Sequence, residues 1–309
     1  MQLEGIHHIT AITGDAPRNV DFYVRVLGLR MVKKTVNQDD PSVYHLFYAD
    51  ELGSAGADLT FFEYPGAARG RPGPGMVHRI VSRVASSDAL GFWAARLDGE
   101  GIASERSGDS LVFADPEGME HELAVVDRPD APLIARHREI PAEVALQGFE
   151  AVRASSMRPD STRRILEEGL NFVPAGDAVW EARGAVRGGL YALDPVPEGR
   201  GIPGAGTVHH VAFASTLDDH AAWGENVRAL GLNPTPVIDR FYFRSIYFRE
   251  PGGVLFEIAT IGPGFTADEP SESLGEQLSL PPDFEHLRER IEPALTPLPD
   301  IRAWRPETA

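Results

Sequence analysis

The 309-residue chain has no cysteine. That excludes a disulfide framework, a thiolate nucleophile and any Cys-ligated metal, so a transition metal would have to be held by imidazole and carboxylate. Positive charge is also scarce: 29 Lys and Arg face 46 Asp and Glu, a formal net charge of −17. Such a chain has no electrostatic attraction to a phosphate backbone or an anionic lipid surface, and neither nucleic acid nor membrane is expected as a partner. No apolar run approaches membrane-spanning length. No basic region leads into an apolar stretch at the start, so a cytoplasmic location is expected. Two catalytic loops are missing as well. There is no Gly-x-Ser-x-Gly elbow, which removes the simplest hydrolase reading. The glycine-rich Gly70-Arg71-Pro72-Gly73-Pro74-Gly75 lacks the Lys-Ser/Thr ending of a phosphate loop and reads as a connector.

Hydrophobic residues make up 42% of the chain, enough to fill a core for two domains. A His-His pair occurs twice, each time opening a β-like run: Gly5-Ile6-His7-His8-Ile9-Thr10 and Thr207-Val208-His209-His210-Val211-Ala212. These runs begin the first and fourth copies of a βαβββ-like unit. The units span residues 1–70, 76–127, 145–196 and 205–262, and a Pro-rich tail covers 263–309. Expected helices cover 16–27, 87–97, 161–168 and 217–230; residues 127–142, with three prolines, read as a linker.

Spacings support the repeat. Phe22 lies fourteen positions after His8, and Phe92 lies fourteen after His78. The turn Asp115-Pro116-Glu117-Gly118 precedes Glu122 as Glu250-Pro251-Gly252-Gly253 precedes Glu257.

Two imidazoles and a carboxylate on separate strands make a facial metal triad with open coordination positions, and His8, His210 and Glu257 are the candidates. A His on a first strand and a Glu on a last strand can face one concave side, because alternate strand residues share a face. Convergence then requires the first and fourth units to form one barrel and the second and third the other. Neutral imidazole with carboxylate favours Fe(II), and Mn(II) or Zn(II) suits the same set. His78, Glu122 and Glu150 read as a decayed duplicate with a structural purpose. His45, His121, His137 and His220 have no repeat partner and read as surface or structural residues.

The repeats resemble the vicinal oxygen chelate superfamily, which includes glyoxalases and bleomycin resistance proteins. Gly5-Ile6-His7-His8-Ile9-Thr10, Val208-His209-His210-Val211-Ala212-Phe213 and Phe256-Glu257-Ile258-Ala259-Thr260 are similar to one branch, the extradiol-type ring-cleaving dioxygenases acting on hydroquinones. The stretches 239–247 and 264–269 are similar to that branch too, and the likeness runs from the first strand to Pro282. The resemblance implies an α+β fold of four βαβββ modules in two open-barrel domains, modules 1 with 4 and 2 with 3. It implies iron on His8, His210 and Glu257, with His7, Thr10, His209, Arg240 and Tyr247 around it. The expected reaction opens a para-dihydroxylated ring with dioxygen, both oxygen atoms being incorporated. A small aromatic diol and dioxygen are the implied partners, and a homo-oligomer is compatible.

Within that reading, His7 or His209 would serve as base or acid, since imidazole titrates near neutral pH. Strand alternation opposes this: His7 should point away from His8, and His209 from His210, unless the strand is bulged. Arg240 would stabilise an anionic oxygen or orient the second hydroxyl, Tyr247 would donate a hydrogen bond, and Thr10 would bond a substrate oxygen. Glu63, on the last strand of unit one, marks an alternative. As a fourth ligand it would favour a glyoxalase-like lyase or isomerase using the metal only as a Lewis acid. A metal-free module that sequesters an aromatic compound is the remaining alternative.

Overall fold

The computed structural model describes residues 1–306. Its first βαβββ run comprises β1 (Ile6–Thr13), β2 (Arg30–Asn37), β3 (Asp40–Ala49) and β4 (Asp58–Glu63). The second comprises β5 (Val77–Val84), β6 (Ser104–Ser107), β7 (Ser110–Ala114) and β8 (Glu120–Val125). The third comprises β9 (Phe149–Ser155), β10 (Val173–Gly176), β11 (Val179–Arg183) and β12 (Gly188–Asp194). The fourth comprises β13 (Thr207–Ser215), β14 (Ile238–Asp239), β15 (Arg244–Arg249) and β16 (Leu255–Thr260). They form two eight-stranded sheets, β14-β15-β16-β13-β1-β4-β3-β2 and β10-β11-β12-β9-β5-β8-β7-β6. The fold is therefore α+β with modules 1 and 4 in one sheet and 2 and 3 in the other, as the convergence of ligands requires.

Each module crosses from its first strand to its second through a helix that covers the sheet. The second-module helix (Ser87–Gly99) is capped by Ser86, whose side chain accepts from the Ala89 N–H. The fourth runs His220–Ala229, starting later than expected. Trp93 and Trp223 on these two helices have no exposed surface. The expected first and third helices each divide into an α-turn and a π-turn: Ala16–Val20 continues as Asp21–Val26, and Pro159–Arg164 as Ile165–Gly169. The consecutive residues Phe22, Tyr23 and Val24 on the π-turn are all buried, because this helix is covered on more than one side.

The larger of two buried apolar clusters draws on both sheets. Phe172 of module 3 packs edge-on against Phe213 of module 4, with ring centroids 5.1 Å apart, and the Tyr23 hydroxyl donates to Asp115 at 3.0 Å. Gly5 sits where the sheets meet: its φ is +78°, and a Cβ there would lie 2.7 Å from the Gly188 carbonyl carbon. Only glycine fits both conditions. The C-terminal segment crosses the first sheet. It is held by Lys33, a fully buried lysine whose ammonium contacts the Asp268 carboxylate at 2.7 Å, Glu269 and the Phe265 carbonyl.

Candidate metal centre

β1 and β13 run antiparallel at the middle of the first sheet, and their register explains both His-His pairs. Ile6 faces Phe213 but His8 faces Ala212, so His7 is an extra residue; Thr10 faces His210 but Ala11 faces Val208, so His209 is another. Each is a bulge, and the two are related by the dyad between the strands. The bulges resolve the strand-alternation objection: they turn the first imidazole of each pair back onto the second.

His8 and His210 point into the concave side of the sheet, where Glu257 meets them from β16, paired with Ala212. The His8 and His210 Nε2 atoms are 3.3 Å apart; Glu257 Oε2 lies 3.2 Å from the first and 2.9 Å from the second. Three donors about 2.1 Å from one ion and at right angles would be about 3.0 Å apart, against about 3.4 Å for a tetrahedron. The separations fall in the range that three ligands of one ion span. Glu257 has no exposed surface, and its Oε2 has no hydrogen-bond partner. A buried carboxylate oxygen without a donor fits a cation at that point. Its other oxygen accepts from Ser245 Oγ at 2.5 Å. Among the described residues this is the one such cluster of ligating side chains.

Burial lowers the His210 imidazole pKa, which favours the neutral ring a metal needs. Burial alone would raise the Glu257 carboxyl, but His8 and His210, whenever either ring carries a proton on Nε2, hold it well below the usual carboxylate range, and a cation bound there would act in the same direction. The hydrogen bonds also fix the His8 tautomer. His7 Nε2 lies 3.2 Å from the Thr260 carbonyl, which can only accept, so that nitrogen carries the proton. The His7 ring is neutral, its pKa lowered to about 3 by burial and by His8, so its Nδ1 is a lone pair. That atom lies 2.9 Å from His8 Nδ1, which must donate. His8 Nε2 is left as a free lone pair facing the triad. His209 Nδ1 makes the same contact with His210 Nδ1, at 2.8 Å.

Above the triad lies a cleft open to solvent. His8 and His210 form its floor; Arg240, Tyr247, Phe243 and His45 are among its walls. The Arg240 guanidinium stacks over the Tyr247 ring at 5.4 Å and pairs with Asp39 at 3.2 Å at the rim. Burial raises the Tyr247 phenol, so it stays protonated. His7, His209 and Thr10 are not on the cleft wall: the two imidazoles stand behind the ligands, and Thr10 accepts from the Thr60 hydroxyl at 2.8 Å.

Three expectations need correction. Glu63 is not near the triad. The dyad that relates His8 to His210 relates Glu257 to Thr60, which pairs with Thr10 as Glu257 pairs with Ala212. Glu63 is three residues further along β4, where its carboxylate accepts from Thr296. His45 is neither a surface nor a purely structural residue, because it faces the cleft. His121, His137 and His220 take the structural alternative, buried against Tyr23, Trp304 and Ser215. The second sheet repeats both bulges, at His78 and Glu150. Those two residues therefore match His7 and His209, not the ligands. The ligand positions hold Arg79, Ala151 and Ala192, with Glu122 matching Thr60, and an Arg79–Glu122 ion pair at 3.1 Å fills the place of a metal.

Two further residues were missed in the sequence. Ser245 and Tyr247 alternate on one strand that pairs with β16, so a ligand-anchoring hydroxyl two residues before Tyr247 was readable from period two. Lys33 gave no signal, since its partners lie more than 230 residues away.

A profile of the Glyoxalase/Bleomycin resistance protein/Dioxygenase superfamily matches residues 5–123. The chain is 43% identical over 302 residues to "Putative ring-cleaving dioxygenase MhqO" of Bacillus subtilis (strain 168), covering 95% of this chain and 96% of that one. It is 35% identical to "Chlorohydroquinone/hydroquinone 1,2-dioxygenase" of Sphingobium indicum, over 94% and 95% of the two chains. A crystal structure of a putative dioxygenase from Bacillus subtilis superimposes with a TM-score of 0.89 at 40% identity, covering 96% of this chain and 98% of that one. The chain belongs to the glyoxalase/bleomycin resistance protein/dioxygenase superfamily. Within it, the relatives matched over nearly their whole length are named as ring-cleaving dioxygenases. No helix among the described residues is long and apolar enough to cross a membrane.

Proposed function

We propose that the protein is a metal-dependent, extradiol-type dioxygenase that opens a para-dihydroxylated aromatic ring with dioxygen, holding Fe(II) on His8, His210 and Glu257. The observation that carries this reading is the unpartnered Glu257 Oε2, 2.9 and 3.2 Å from two imidazole nitrogens at the base of an aromatic-walled cleft. The hydroquinone dioxygenase among the relatives supports the substrate class. Fe(II) there would supply a Lewis acid for a phenol oxygen and redox chemistry for dioxygen; Mn(II) suits the same donors.

The chain's own residues supply the rest. Phe47, Phe62 and Phe243 line the cleft and exclude water from a flat ring. Arg240, a fixed cation, and Tyr247, a protonated phenol, stand together on one wall to bind an oxygen as it gains negative charge. Tyr247 holds its proton at Oη for donation to that oxygen. His7 and His209 orient the ligands and keep the metal-facing nitrogens unprotonated, and Thr10 steadies Thr60. A cytoplasmic location and a small-molecule substrate belong to the same reading.

The lyase reading loses its distinguishing feature, because Glu63 is turned away and Thr60, a poor ligand, has the fourth position. The metal-free reading leaves the buried, partnerless Glu257 oxygen unexplained. The test is oxygen uptake with hydroquinones after anaerobic Fe(II) reconstitution. Glu257→Ala should lower the rate by about a hundredfold or more relative to wild type. Equal rates, or turnover of the wild type that persists without oxygen, would overturn the proposal.

A further inference from the structure

His45 lies on β3, between Thr35 on one neighbouring strand and Phe62 on the other. Its ring is clamped by two aromatic side chains, with centroids 4.0 Å from Phe47 and 4.4 Å from Phe62. One edge is anchored: Nε2 lies 2.9 Å from Thr60 Oγ1. The single hydroxyl proton of Thr60 goes to Thr10 at 2.8 Å, so Thr60 can only accept from His45. Nε2 therefore carries the imidazole proton. Burial, with His8 and His210 nearby, pushes the ring well below the usual histidine range, so it is neutral and Nδ1 is a lone pair. Among the described residues no donor hydrogen-bonds that Nδ1, and the ring lines the same cleft as His8 and His210.

The position is informative by symmetry. The dyad that places Thr60 opposite Glu257 places His45 opposite Ser245, since His45 pairs with Phe62 as Ser245 pairs with Ala259. In the fourth module the hydroxyl anchors a metal ligand. In the first module the ligand position is a threonine, and the group beside it is an imidazole with an unused acceptor. A fixed neutral acceptor held between aromatic rings selects a ligand that brings its own proton.

We propose that His45 Nδ1 accepts a hydrogen bond from the ring hydroxyl that is not bound to the metal, and so selects diols over monophenols. This rests on the ring-cleavage reading and extends it: the second hydroxyl is recognised as a donor, by a residue of module 1, opposite in polarity to Arg240 and Tyr247.

The test measures binding, without turnover. Metal-loaded protein is titrated calorimetrically without oxygen with hydroquinone and with 4-methylphenol, which replaces one hydroxyl by a methyl of similar size. Wild type should prefer hydroquinone by about tenfold or more, the weight of one buried hydrogen bond. His45→Phe, which keeps the aromatic clamp, should bring the preference close to one. His45→Asn, whose side-chain oxygen falls near the place of Nδ1, should restore most of it. Metal affinity should not change in either variant, and under turnover the loss should fall on KM more than on kcat. An unchanged preference in His45→Phe, or no preference in wild type, overturns this inference alone. Failure of wild type to bind either phenol overturns the ring-cleavage reading with it.

Discussion

The Nδ1 atoms of His7 and His8 are 2.9 Å apart, although adjacent strand residues ordinarily point to opposite faces. A bulge brings them together, and Thr260 on another strand fixes which nitrogen carries the proton. In the proposed site, His7 would serve the metal through His8. Replacing it with leucine removes the acceptor and leaves the His8 ring free to turn or to carry its proton on Nε2. Metal affinity should fall about 10- to 100-fold, as for other orienting partners of ligand histidines. His7→Gln, which can still accept, should lose less. Competition against a coloured chelator measures both; equal affinities in wild type and His7→Leu would reject the relay.

Metal should stabilise the fold through the same cluster. At a free metal concentration a hundred times Kd, unfolding should cost about 2.7 kcal/mol more than in the stripped protein. Glu257→Ala should abolish that increment. Denaturant titrations with and without chelator read it directly, and a metal-independent midpoint in wild type would remove the assignment.

The second sheet should hold no metal. Its ligand positions carry Arg79 and two alanines, with Glu122 tied to Arg79. One ion per chain is expected by elemental analysis. Arg79→Ala should leave that ratio unchanged and cost no more than about 1 kcal/mol, because the pair is partly exposed. A second equivalent of tightly bound metal would contradict the register argument.

Acid should weaken the protein partly through Asp130. Burial would raise its carboxyl, but hydrogen bonds from Arg183 and Arg83, each at 2.7 Å, hold it well below the ordinary range. A carboxyl depressed in the folded state contributes its full stability above the unfolded pKa of about 4 and loses it as pH falls from there toward the lower folded value. Asp130→Asn should cost about 1–2 kcal/mol at pH 7, because Arg83 loses one charged partner but keeps Glu150 at 2.7 Å. The gap between wild type and variant should narrow below about pH 4. Urea unfolding at pH 7, 5 and 3.5 tests the sign; a gap that widens in acid would refute it.

Much of this was legible in the chain. The repeated His-His pairs and the matched turns before Glu122 and Glu257 carry the repeat, because period-two strands and tight turns leave local marks. The candidate triad is readable too, because only a pairing of the first and fourth units can bring His8, His210 and Glu257 together. Glu63 was misplaced for a related reason. A carboxylate near the end of a strand looks equivalent to another until register is known, and three residues along a strand reverse the face. His45 had no repeat partner because its counterpart is Ser245, and a histidine opposite a serine leaves no pattern to match.

Composition and local order alone determined the class of chemistry: without cysteine and with recurring histidines, any metal had to sit on imidazole and carboxylate. They also determined the modular architecture, since each βαβββ unit leaves an apolar face that a second unit must cover. Tertiary structure decided which side chains face the cleft. Two bulges reversed His7 and His209, a dyad put Thr60 rather than Glu63 opposite Glu257, and Lys33 fastened a tail more than 230 residues away. Orientation on a strand depends on the register with its neighbours, and register is a relation between distant segments that no local pattern encodes.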